Sequence, residues 1–113
     1  MSDSNHDFCV VLTTTNDDEN KHAIIKALLS KQLAACIQEI PMTSHYVWQE
    51  EVCHDSETLL VIKSKKSLYT LVEESIRELH NYEVPQIVQL DIAAGFQPYL
   101  SWIAANTLET QKH

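Results

Sequence analysis

The spacing of apolar positions changes repeatedly along the chain, and each change predicts an element. Phe8–Thr15 is apolar and then β-branched with no polar alternation, the pattern of a strand buried on both faces. Asn16, Asp17 and Asp18 follow as helix N-cap candidates, and Glu19 adds charge suited to a helix N-terminus. Ile24, Ala27, Leu28 and Lys31 recur at helical spacing, widened by Ile25 and Leu29, which predicts a helix packed by one face on a sheet. From Leu33 the period becomes that of a strand. Ala35 and Ile37 fall on one face, Cys36 and Ile40 on the other, and the run continues to Tyr46, Val47 and Trp48. Pro41 interrupts it; a proline donates nothing to a ladder, so it marks a bend or an edge position. After the polar, acidic stretch Gln49–Ser56, Thr58–Ile62 makes a second buried strand. Together they predict a long hairpin with its tip near Trp48–Asp55.

A second helix starts near Ser64–Ser67, both able to cap, with the stripe Leu68, Leu71, Val72, Ile76 and Leu79. His80-Asn81-Tyr82 ends it and Pro85 forbids its continuation. Val88, Leu90 and Ile92 then alternate with Gln89 and Asp91, predicting a strand with one buried face. Gly95, the only glycine, punctuates a turn, and Pro98 suits the first turn of a last helix carrying Tyr99, Leu100, Trp102 and Ile103, beyond which Thr110–His113 frays. The order is β-α-β-β-α-β plus a C-terminal helix. This is an α+β chain of the split βαβ, or ferredoxin-like, arrangement, read as a single domain over residues 1–113. A strand from Leu33 to Val47 would reach about 50 Å at ~3.3 Å per residue, against a radius of gyration of about 13 Å for such a domain. The hairpin therefore bends at Pro41 or projects, and a projecting hairpin exposes edges that another chain covers.

Composition adds limits. At 44% hydrophobic and 21% charged residues the chain is ordinary globular material. No apolar run approaches the roughly 20 residues that span a bilayer, and the polar, acidic start MSDSNHD lacks signal-peptide features, so a cytoplasmic protein with no membrane partner is expected. Sixteen acidic against eight basic side chains give a net charge of -8, which argues against nucleic acid. The cysteines Cys9, Cys36 and Cys53 are odd in number and widely spaced, and read as free thiols. Cys9 and Cys36 look like small core residues.

No enzyme motif is present: a single glycine allows neither a Gly-rich phosphate loop nor a G-x-S-x-G elbow. What stands outside the apolar periods is Ser44, Tyr46 and Trp48 on the hairpin, Lys63 at its end, and His80-Asn81-Tyr82-Glu83 after the second helix. Tyr46 and Trp48 share one side of a strand, either packing on a neighbour or lining a pocket. His80 and Glu83, three apart across a helix end, can converge on a borderline divalent metal; otherwise His80 meets the helix carbonyls. Cys53 and His54, adjacent in a strand, would point to opposite faces and could not share an ion.

Several blocks together resemble one family. Gln32–Cys36 (QLAAC), Ser44-x-Tyr46-x-Trp48, the Glu57…Lys63 strand, His80–Pro85 (HNYEVP) and Tyr99-Leu100-x-Trp102 are similar to the CutA family of divalent-cation tolerance proteins, in order over about residues 8–104. The resemblance implies a non-enzymatic homotrimer whose long hairpins pair between subunits and which binds divalent metal, copper foremost. By position it attaches the metal to His80 and also to Glu83 or Cys36. Asn81 stands where the family has Pro, Glu50 where it has Gly, and Thr13 where some members have Cys. A second reading stays open. The trimeric nitrogen-regulatory signal proteins are similar in architecture, and on that analogy Ser44, Lys63 and Tyr82 would line an inter-subunit cleft for a small anionic ligand.

Overall fold

A computed structural model of the chain describes residues 7–109. Its elements are β1 (Phe8–Thr15), α1 (Asp18–Ser30), β2 (Cys36–Trp48), β3 (Glu51–Lys65), α2 (Tyr69–Leu79), β4 (Ile87–Asp91) and α3 (Gln97–Ala105). One antiparallel sheet has the order β2-β3-β1-β4, so β3 lies between β1 and β2. That is the ferredoxin-like split βαβ arrangement. The fraying expected of residues 110–113 and the leaderless reading of the first six residues lie outside the described residues.

Of the three cap candidates before α1, Asp17 is the cap, its carboxylate accepting from the Glu19 N–H at 2.9 Å. The helix ends in a Schellman pattern, with Gln32 N–H bonded to the Leu29 carbonyl and Leu33 N–H to that of Leu28. Ile24 and Leu28 of α1 meet Val72 and Ile76 of α2 over Cys9, Val11, Leu60 and Ile62 of the sheet. Burying each large side chain there contributes about 1.5–3 kcal/mol. On the opposite face α3 covers only one end, where Leu100 and Ile103 pack on Phe8. The rest of that face is open.

Several expectations need correction. The α2 helix does not start on a capping serine: Ser64 is a buried β3 residue whose hydroxyl donates to the Leu33 carbonyl at 2.6 Å. A 3-10 turn over Lys66–Leu68 leads into the helix instead. The hairpin tip is tighter than its polarity suggests. Trp48 pairs with Glu51, leaving Gln49 and Glu50 as a two-residue turn with φ of 52° and 69°. Both central residues at positive φ is what a type I′ turn requires. Polar residues continue the strand there because both faces of the hairpin are wet. In β4 the faces are reversed. Ile87 packs on the main core, whereas Val88 and Leu90 stand on the open face, 42% and 53% exposed, because α1 and α2 cover only the other side. Cys9 is fully buried, but Cys36 is only half-buried.

Pro41 sits within the β2 ladder, opposite Thr58, on the outermost strand, where its missing N–H is tolerated. The hairpin therefore projects, and the longest dimension of the molecule is 50 Å against 25 Å across.

Candidate functional site

β1 stops at Thr15, opposite Thr58, while β2 and β3 run on together to Trp48 and Glu51. Past that point the hairpin is a two-stranded ribbon. Alternation places Met42, Ser44, Tyr46 and Trp48 on the open face with Cys53, Asp55 and Glu57. The segment after α2 folds against this face and closes a cleft of about 650 Å³. It is lined by Met42, Ser44, His45, Tyr46 and Trp48 from β2, Asp55 and Glu57 from β3, Tyr82, Glu83, Val84 and Gln86 before β4, and Thr14 and Asn16 at the end of β1.

Glu57 is the centre of the cleft. One carboxylate oxygen accepts from the Ser44 hydroxyl at 2.5 Å and the other from the Tyr82 phenol. Tyr46 donates in the same way to Asp55. Burial, and then the Glu57 carboxylate beside it, push the Tyr82 phenol far above its ordinary range. The hydrogen bond to Asp55 is the main reason Tyr46 is pushed up to about 12. Both phenols are therefore held as donors.

His80 shapes the wall rather than opening into the cleft. Its Nε2 lies 2.7 Å from the Thr14 carbonyl oxygen, and its Nδ1 accepts from the Tyr82 N–H at 3.1 Å. A carbonyl only accepts, so this arrangement puts the ring proton on Nε2. The ring ties the end of β1 to the segment after α2 and packs against Tyr82 with centroids 4.4 Å apart.

The structure thus brings together Ser44, Tyr46, Trp48, Tyr82 and Glu83, with His80 behind Tyr82. It does not bring in Lys63 or Cys36. These two are opposite each other in the ladder, six residues along β3 from Glu57, which is about 20 Å. Lys63 donates to the Tyr99 hydroxyl at 3.0 Å and lies 5.3 Å from that ring's centroid, beside α3. Among the described residues no group of three or more His, Cys, Asp or Glu is placed to hold one ion, so His80, Glu83 and Cys36 do not form a joint ligand set. Three carboxylates, Asp55, Glu57 and Glu83, line the cleft beside hydroxyl and phenol neighbours and give it a negative charge, without converging on a single ion position. Sequence reasoning missed Asp55 and the central role of Glu57. Counting strand parity outward from the two-residue turn would have put both on the Tyr46 face.

A ferredoxin-like domain whose hairpin outruns its sheet, with an acidic cleft at the ribbon's base, defines a class of small α+β proteins built around a protruding arm. The sequence profile of the CutA1 divalent ion tolerance protein family matches residues 9–106, and the chain belongs to that family. It is 43% identical over 99 residues to the divalent-cation tolerance protein CutA of Thermus thermophilus, covering 87% of this chain and 96% of that one. The solved structure of CutA1 from Oryza sativa superposes with a TM-score of 0.88 at 32% identity, covering 95% of this chain and 99% of that one. The mouse protein CutA is 41% identical over 81 residues, 71% of this chain but 46% of the mouse protein.

Proposed function

We propose that the protein is a non-enzymatic divalent-cation tolerance protein that acts as a homotrimer and binds divalent metal ions directly, copper foremost. The observation that carries the metal half is the charge of the cleft. Asp55, Glu57 and Glu83 line it, and none of its lining residues is Lys or Arg. An anion held about 6 Å from one such carboxylate meets roughly 3 kcal/mol of repulsion at an effective dielectric of about 20, and a cation gains as much. With Lys63 away beside Tyr99, the chain's own residues favour a cation over a small anionic ligand. The trimer half is supported by the bare ribbon edges and by the apolar open face around Val88 and Leu90.

Titration of Cu²⁺ into wild type, Glu83→Gln and His80→Ala by calorimetry tests the metal half. Saturable binding by wild type is expected. Glu83→Gln should weaken it by removing one of the cleft's three negative charges and His80→Ala by loosening the wall, each by about tenfold or more. No binding by wild type removes the metal reading; identical isotherms for all three remove the cleft as the site.

A further inference from the structure

His45 of β2, which also borders the cleft, and His54 of β3 stand directly opposite each other on the ribbon face that strand alternation sets against that of Ser44, Tyr46 and Cys53. Their rings lie side by side, with centroids 5.7 Å apart and planes 30° from parallel. The turn fixes what kind of pair this is. Counting outward from Trp48 and Glu51, which close the two-residue turn, alternate pairs exchange backbone hydrogen bonds, so His45 and His54 form a non-hydrogen-bonded pair. Such pairs bring side chains closest, with Cβ atoms about 4.5–5.5 Å apart. Both residues are exposed, and no other described residue hydrogen-bonds or ion-pairs with either ring.

We infer that His45 and His54 form a two-imidazole site for a borderline divalent cation, Cu²⁺ foremost, on the outer face of the ribbon. Two rings at this separation turn about their side-chain torsions to aim one nitrogen each at a common ion, with no change in the backbone. Imidazole suits Cu, Zn and Ni, and among divalent first-row metals the affinity of a nitrogen site peaks at Cu²⁺. Water completes the shell, and the hydroxyls of Thr43 and Ser56, the next pair on this face, stand beside it. His54 lies six residues out from the buried Leu60, about 20 Å along the strand, beyond the part of the sheet that the helices cover. The ion therefore approaches from open solvent. Cys53 takes no part, because it points to the cleft face opposite Tyr46. This site deepens the cation-binding reading by naming nitrogen ligands apart from the oxygen-lined cleft.

Electron paramagnetic resonance of Cu²⁺ added to the full chain tests it. Wild type and Glu83→Gln are expected to show a copper signal split by imidazole nitrogens. His45→Gln and His54→Gln should each weaken the binding about tenfold or more, because the second imidazole acts at high effective concentration, and the double variant should lose the split signal. Thermal unfolding should match wild type in all of them, since both positions are exposed. An unchanged signal in the double variant overturns the site. Wild-type copper held by oxygen alone also overturns it but leaves the cation-binding reading intact, whereas no copper uptake by wild type ends both.

Discussion

Glu57 accepts from Ser44 and Tyr82, and Asp55 accepts from Tyr46, so two carboxylates at the ribbon's base each hold a phenol in its neutral form. The consequence is a contribution to stability that is lost at high pH. A phenol whose folded pKa is raised binds its proton more tightly in the folded state than in the unfolded one. Its contribution is therefore complete below the unfolded value near 10 and is lost as pH rises to the folded value. For Tyr46 that window runs from 10.0 to about 12, and Tyr82 acts in the same direction. Thermal unfolding followed across this window should show a steeper loss in wild type than in Tyr46→Phe. Equal slopes would mean that the Tyr46–Asp55 bond contributes nothing. At this scale the sequence located the polar and aromatic residues but not their pairings. Tyr46 and Trp48 were legible as same-side neighbours, whereas Glu57 and Tyr82, 25 residues apart, meet only through the fold.

Elements show a chain that manages its turns almost without glycine. Its one glycine, Gly95, is not at positive φ; among the described residues Gln32, Gln49 and Glu50 are the ones that adopt it. An L-residue in that region is disfavoured by roughly 1–2 kcal/mol, part of which glycine gives back through its freer unfolded state. Glu50→Gly should therefore stabilise the chain by about 0.5–1 kcal/mol in urea unfolding. A loss of stability instead would show that the Glu50 side chain makes a contact worth more than the strain. Element order and type were readable because apolar periods of 2 and 3.6 are local properties. The hairpin tip was not. An acidic ribbon exposed on both faces carries no apolar alternation, so Glu51–Asp55 looked like loop although it is strand.

For the molecule as a whole, the radius of gyration of 15.0 Å exceeds the about 13 Å of a spherical domain of this length, and the excess is the arm. A two-stranded arm is at best marginally stable alone, and its edges invite pairing. The proposed homotrimer predicts a light-scattering mass of about 39 kDa, three times the 12.9 kDa chain. Leu90→Lys, on the open face and already 53% exposed, should lower that mass toward one chain while leaving the subunit folded. A wild-type mass of one chain would sink the trimer, and a Leu90→Lys protein at full trimer mass would take the open face out of the interface.

By itself the sequence determined the run β-α-β-β-α-β, the helix faces, the excess length of the hairpin and the family resemblance, since each follows from local spacing or short motifs. Only the tertiary structure decided which apolar positions are covered. Val88 and Leu90 have the period of a buried face, yet α1 and α2 pack on the other side of the sheet and α3 covers only one end of theirs. It also decided which polar residues meet. His80 went to backbone partners, Lys63 and Cys36 to the far end of the β2–β3 ladder, and His45 to a place across from His54, because register is set by a turn that fixes every pairing down the ladder at once.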